Sequence, residues 1–326
     1  RIVLREAAHA EQPVQRAGAA NLMVYNGYLY IGEYNDEEIA LERILFDKSS
    51  EGDGGMGGVD CSFVNANLEQ SVNLYRMDQN ENMELVVGDA TDMFPNGSLS
   101  GLGSGWGRNE NQYVWRMTVY DGKLYLGTFD TASLLEPIGQ FSNGDIIGMS
   151  PDEWEAQIKN LKELLELLFK SGGNGADVNL VAEGGESDET AADDAAATEA
   201  DLDDFLEELE GAKEYLGDTD AVALADEGDA DYASNIEDKI QYHQQFADYY
   251  EALLKRFEEL EKKYELPENV RKQIEKLLNG QTLEDIQSVI KCLGYMKDAT
   301  RGFDLYVTGD GVNFDTVTVD GFGDPY

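Results

Sequence analysis

Residues 115–130 read WRMTVYDGKLYLGTFD, and residues 21–35 read NLMVYNGYLYIGEYN. Val24, Tyr25, Gly27, Leu29, Tyr30 and Gly32 stand 95 places before Val119, Tyr120, Gly122, Leu124, Tyr125 and Gly127. In both copies, runs of β-branched, aromatic and aliphatic residues flank an Asn-Gly or Asp-Gly pair. Such a pair accepts the positive φ angles of a type I′ turn, so each stretch is expected to form a tight β-hairpin.

A second match extends the unit. Val72–Asp78 (VNLYRMD), followed by Met83–Val87, is paralleled by Phe303–Asp310 (FDLYVTGD), followed by Phe314–Val319. Val24 lies 50 residues before Leu74, whereas Val119 lies 186 before Leu305, and the excess of 136 is about the length of the helical tract between them. The chain therefore reads as two copies of a four-strand antiparallel unit, the second split by an insertion.

Repeated four-strand sheets are the building blocks of β-propellers. The chain resembles propeller proteins over residues 20–95, 113–150 and 301–326. Thr308–Phe314 (TGDGVNF) is similar to the Asp-box turn of sialidase-like propellers, one residue short and with Phe where Trp is usual. That resemblance implies a structural turn remote from any active site. The expected class is α+β: propeller-type blades over residues 1–149 and 301–326, with an all-α helical bundle inserted over 150–300. Propellers close with about four to eight blades, so two blades form either an incomplete propeller, the preferred reading, or a compact sheet that is not a propeller. The chain opens at Arg1 with neither a methionine nor a leader. Both features suggest a mature or trimmed piece of a longer protein.

The formal charge is −42 over 326 residues. A surface this acidic repels nucleic acid and anionic lipid, and favours cations, basic partners or plain solubility. Residues 151–300 hold 14 basic and 39 acidic residues, net −25, so the acid concentrates in the insertion. The two cysteines, Cys61 and Cys292, fall in different expected domains and form no zinc-binding spacing. No run of 18 apolar residues is long enough to span a membrane.

Beyond Ser150 the apolar period changes from two to 3.6. Ser150-Pro151-Asp152-Glu153 has the form of a capping box, and Trp154, Ile158, Leu161, Leu165 and Leu168 follow as a stripe that stops at Ser171-Gly172-Gly173. Residues 176–200 read as acidic, mobile low complexity. A second helix carries Leu202, Phe205, Leu206, Leu209 and Leu216. Ser234-Asn235-Ile236-Glu237 is expected to open a long helix that ends before Pro267, with a short helix over 268–279 and a last one capped at Thr282.

No catalytic device is visible. There is no Gly-x-Ser-x-Gly, no P-loop and no dinucleotide fingerprint, and His9 and His243 are the only histidines. Three constellations are candidates for binding. Trp106, Arg108, Glu110 and Trp115, with Arg116, could hold a sugar between aromatic faces and charged groups, or could simply pack a blade. Asp47, Glu51, Asp53 and Asp60 could supply oxygens to Ca2+, although their spacing is not that of an EF-hand and a disordered glycine-rich turn is the favoured explanation. On the long helix, Tyr242, Phe246, Tyr249 and Leu253 form a second stripe beside Ile236, Ile240, Ala247, Tyr250, Leu254, Phe257 and Tyr264. That second stripe is either packed on a further neighbour or exposed as an interface for a partner.

A helical domain grafted between two strands of a blade has the form of a display platform. The chain also resembles secreted or wall-attached propeller proteins of gut commensal bacteria, some of which are similar to B-cell superantigens. The likeness rests on phrases such as NGYLYIGEYND and on the helical insertion. It implies a secreted or cell-surface location and a host protein as partner, with immunoglobulin, bound through its variable domains, as the example the superantigens offer. The alternative is a carbohydrate-binding or glycoside-hydrolysing propeller with the helical domain as a lid.

Overall fold

The computed structural model describes residues 16–35, 71–130, 142–172, 190–217 and 229–323. Its eight strands are β1 (Arg16–Tyr25), β2 (Tyr28–Asn35), β3 (Leu74–Met77), β4 (Met83–Val87), β5 (Asn111–Tyr120), β6 (Lys123–Asp130), β7 (Leu305–Thr308) and β8 (Asp315–Thr318). They form one antiparallel sheet made of two meanders, β1-β2-β3-β4 and β5-β6-β7-β8. In strand pairing the two meanders meet at one pair of residues, Tyr34 and Tyr113.

The repeat seen in the sequence is a repeat of register. Val24 pairs with Leu29 as Val119 pairs with Leu124, and Gly32 pairs with Leu74 as Gly127 pairs with Leu305. In the outer hairpins the pairing slips after Leu74 and again after Leu305, the same place in each copy. Asn26 and Gly27 have φ of 50° and 85°, and Asp121 and Gly122 have 48° and 74°, so both central residues of each turn are left-handed, as a type I′ hairpin requires.

Tyrosines of the first meander seat on turns of the second. Tyr25 Oη donates to the carbonyls of Gly122 and Gly309, each at 2.8 Å, and Tyr30 Oη donates to Gly311 O at 2.9 Å. A Cβ at Gly311 would stand 1.9 Å from the Tyr30 hydroxyl, and its φ is +82°, so both contact and conformation call for glycine. Leu74, Val86, Val114, Met117, Leu124 and Leu126 fill the apolar interior with these rings. The Asp-box-like turn is stapled by Asp310, whose carboxylate accepts from the backbone N–H groups of Val312 and Asn313 and from Asn313 Nδ2. Those bonds hold the Asp310 carboxyl well below the usual carboxylate range.

The described residues divide into two compact units, one holding the strands and the other spanning Gln140–Ile290, with the boundary inside the last helix. Among the described residues six α-helices lie between β6 and β7: α1 (Asn143–Ile147), α2 (Pro151–Gly172), α3 (Thr190–Gly211), α4 (Asp229–Lys263), α5 (Glu268–Leu277) and α6 (Gly280–Asp298). Within the helical unit, Trp154, Ile158, Leu161 and Leu165 of α2 pack with Phe205 and Leu209 of α3 in one apolar core, which also takes in residues of α4, α5 and α6. The Trp154 indole N–H donates to Leu209 O at 2.8 Å.

Several boundaries differ from those expected. The capping box at Ser150 forms as read, with the Glu153 carboxylate accepting from Ser150 N and Glu153 N donating to Ser150 Oγ. Helix α3 starts at Thr190, inside the tract read as low complexity, where the alanines of TAADDAAATEA favour helix despite their acidic neighbours. Helix α4 starts at Asp229, so Ser234 lies inside it and not at its start. Helix α6 starts at Gly280, and its first turn is bound by Asn279, whose Oδ1 accepts from Thr282 N at 2.8 Å. The short helix α1 was not expected; Ser142 and Asp145 close a capping box around it.

Candidate functional site

Each meander carries a buried polar cluster at the same place in the repeat. In the first, Glu33 accepts from Asn73 N (3.0 Å) and from the Tyr75 hydroxyl (3.3 Å), while Asn73 Nδ2 donates to that hydroxyl (2.9 Å). In the second, Thr128 Oγ1 accepts from Asp304 N (3.2 Å), and the Tyr306 hydroxyl donates to Asp304 Oδ2 (2.6 Å). Thr128 is the counterpart of Glu33, Asp304 of Asn73 and Tyr306 of Tyr75. The buried carboxylate has therefore moved from β2 in one meander to the start of β7 in the other, and the tyrosine hydroxyl follows it.

The second cluster takes in the residues proposed for sugar binding. Asn111 Nδ2 donates to Asp304 Oδ2 (2.7 Å) and its Oδ1 accepts from Thr128 Oγ1 (2.5 Å). Arg108 Nε lies 2.9 Å from Asp304 Oδ2, close enough for an ion pair but off the line of a hydrogen bond, and Arg108 Nη2 lies 3.7 Å from Glu110 Oε1. Burial pushes the Asp304 carboxyl up, against the hydrogen bonds from Tyr306 and Asn111 and the charge of Arg108; burial and the Asp304 carboxylate together push the Tyr306 hydroxyl up. Trp106 stacks on Tyr306, with ring centres 4.7 Å apart and planes within 8°. It is 7% exposed and sits at φ 62°, next to Gly105 at φ 61°, in a left-handed turn within Ser104–Gly107. Trp106 therefore belongs to the structural interior of the sheet with one ring face covered by Tyr306, while Arg108, its side chain 25% exposed, lies at the edge of the cluster.

Trp115 is placed differently. It is 59% exposed on β5, the most open of the tryptophans described as buried or exposed. Its ring centre lies 5.3 Å from that of Tyr113 and 5.7 Å from that of Phe129, and Tyr113 lies 5.4 Å from Tyr34. The four rings make one continuous aromatic row across β2, β5 and β6, with Tyr34, Tyr113 and Phe129 half-buried beneath the exposed indole. Tyr34 and Tyr113 are the residues at which the meanders meet in strand pairing, so the row marks the seam of the repeat. Arg116, next along β5, is exposed beside it. Of the four residues proposed for a sugar site, Trp106, Arg108 and Glu110 thus belong with the Asp304 cluster, and Trp115 belongs with the row. Tyr34, Tyr113 and Phe129 escaped notice because a row across three strands has no signature in linear spacing.

No family model, no curated protein and no solved structure matches this chain.

On α4 the expected interface stripe is largely interior. Phe246 is fully buried and Leu253 is 2% exposed. Tyr242 and Tyr249 are half-buried, with hydroxyls donating to Tyr215 O and Glu208 O, both at 2.6 Å. Tyr215, just after α3, lies against Tyr242, Phe246 and Tyr249, so a second neighbour covers the stripe and accounts for its width. The calcium candidates Asp47, Glu51, Asp53 and Asp60 lie outside the described residues. Among the described residues, no group of three or more His, Cys, Asp or Glu side chains is placed to hold a metal ion.

His243, expected on a surface or in a core, lies in the core of the helical unit. It is fully buried, and its Nδ1 lies 2.6 Å from Asn143 Oδ1, which can only accept, so that nitrogen carries the proton. Burial, reinforced by the charge of Lys239 one turn earlier, pushes the imidazole down to about 4, and burial pushes Lys239 down to about 8. The folded state therefore holds His243 neutral. The stability this contributes is complete above the unfolded value of about 6.5 and is lost as pH falls from there toward 4, amounting to about 3 kcal/mol at roughly 1.4 kcal/mol per unit. In urea titrations from pH 7.5 to 4.5, the wild type is expected to lose more stability than His243→Gln. Parallel losses in the two would show that another group governs that window.

Proposed function

We propose that the chain is a binding protein in which two successive propeller-type blades present the Tyr34–Tyr113–Trp115–Phe129 row to a neutral glycan. The observation that carries this reading is the 59% exposure of Trp115 at the centre of a continuous aromatic surface. An aromatic face of this kind covers the apolar C–H faces of a sugar, and an exposed aromatic patch on a folded surface marks a place where something docks. The formal charge of −42 favours a neutral ligand over a polyanionic one. The blade reading draws support from the matched strand registers and the matched slip in the two outer hairpins. A host-protein partner such as immunoglobulin, engaged through the helical unit, is the competing proposal; it has to use residues other than the buried Phe246 and Leu253.

The test is a glycan array probed with the whole chain and with Trp115→Ala, alongside capture of serum immunoglobulin by both proteins. Binding to neutral glycans that weakens at least tenfold in Trp115→Ala, with an unchanged circular dichroism spectrum, is the expected result. An empty array, or glycan binding indifferent to Trp115→Ala, would overturn the glycan reading. Immunoglobulin captured equally by both proteins would turn attention to the helices.

A further inference from the structure

The contact between the two meanders has a second, unused copy. Within the chain it is made by one face of the first meander, carrying Tyr25 and Tyr30, against the opposite face of the second. Tyr25 is 5% exposed and Tyr30 fully buried there; on the receiving face Met117 is 2% exposed and Val119 42%. The repeat places Tyr120 and Tyr125 where Tyr25 and Tyr30 stand, and Leu22 and Val24 where Met117 and Val119 stand. All four counterparts are open to a partner: Tyr120 is 72% exposed, Leu22 57% and Val24 69%, with Tyr125 half-buried.

Three observations make these two faces complementary. The tyrosine pair is already set: Tyr120 and Tyr125 stand 6.5 Å apart at 56°, and Tyr25 and Tyr30 stand 6.1 Å apart at the same 56°. The acceptors are also repeated, since Gly122 and Gly309, which take the Tyr25 hydroxyl, correspond to Gly27 and Asp78 of the first meander. Finally, Gly27 lies in a type I′ turn of the same shape and is exposed. One seat differs, because Asn80 stands where Gly311 leaves room for Tyr30. Asn80 is exposed, in a turn clasped by Asp78, whose carboxylate accepts from the backbone N–H groups of Asn80 and Asn82.

We propose that the Tyr120–Tyr125 face of one chain receives the Leu22–Val24 face of a second copy of this chain, reproducing between molecules the contact made within each. Tyr120 Oη then donates to the carbonyls of Gly27 and Asp78 of the second copy. The contact is head-to-tail: each copy uses two different faces, and an assembly grows as an open array or closes as a ring. The inference rests on the repeat and its internal contact, and is independent of the glycan reading.

Sedimentation velocity over a range of concentrations tests it, using the full chain, Tyr120→Ala and Leu22→Asp. Both substituted side chains are exposed, so circular dichroism is expected to match the wild type. The wild type is expected to associate from its 36.1 kDa monomer by whole copies. Each variant alone is expected to associate at least tenfold more weakly. An equimolar mixture of the two variants is expected to recover a dimer, since one contributes an intact Leu22–Val24 face and the other an intact Tyr120–Tyr125 face. A wild type that stays monomeric throughout, association indifferent to both substitutions, or a mixture no more associated than its components would each overturn the proposal.

Discussion

Asp304→Ala is expected to lower the stability of the sheet by about 3–5 kcal/mol, the usual cost of removing one partner from a buried ionic cluster. The side chain is 2% exposed, accepts from Tyr306 and Asn111, and is ion-paired with the Arg108 guanidinium. Its loss leaves the Tyr306 hydroxyl and one Asn111 bond without their acceptor in the interior, and leaves the Arg108 cation with only Glu110 at 3.7 Å. Asp304→Asn is expected to be much milder, about 1–2 kcal/mol, a cost typical of a weakened buried hydrogen bond. The reason lies in the other meander, where Asn73 occupies this place and donates to the hydroxyl of Tyr75. Urea unfolding of the three proteins at neutral pH gives the order directly. Equal losses for Ala and Asn would mean that the charge, and not the hydrogen-bonding shape, holds the cluster together.

Trp154→Ala is the second large effect. The indole is the largest side chain with no exposure in the helical unit and is anchored by its N–H on Leu209 O. Truncation opens a cavity at the centre of the α2–α3 contact and strips that carbonyl of its donor, a change that costs about 3–5 kcal/mol for Trp or Phe to Ala. Trp154→Phe keeps most of the volume and loses the hydrogen bond, so a loss of about 1–2 kcal/mol is expected. The helical signal in circular dichroism, followed through urea, reports both. An unshifted midpoint for Trp154→Ala would mean that α2 and α3 do not depend on one another.

The repeat was legible because it is written in two local codes, the Asx-Gly turn and the period-two strand, and both survive at constant offsets from Val24 to Val119 and from Leu74 to Leu305. The stripe from Trp154 to Leu165 was legible for the same reason, at helical spacing. What escaped was non-local. Trp106 reads as a ligand platform from its neighbours Arg108 and Glu110, and only the approach of Tyr306, 200 residues on in the chain, makes it interior. The Phe246 and Leu253 stripe could be packed or exposed until Tyr215 is seen lying across it. The row around Trp115 draws on three strands, one of them far off in sequence. The exchange of Glu33 for Asp304 becomes visible only when the two meanders are laid over one another by register.

That Gly127 pairs in register with Leu305 has a consequence for biosynthesis. A ribosome adding about 5–20 residues per second delivers β7 roughly 10–35 s after β6. Through that interval β6 has an open edge, and Tyr25 and Tyr30 lack the carbonyls of Gly309 and Gly311 on which they come to rest. The helices between have a core of their own and can condense while the sheet waits. Closing a loop grows only slowly more costly with its length, and a folded insertion shortens the distance its ends must search. Strands β7 and β8 then act as the latch of the nascent sheet: they complete the second meander and cover the first in the same event.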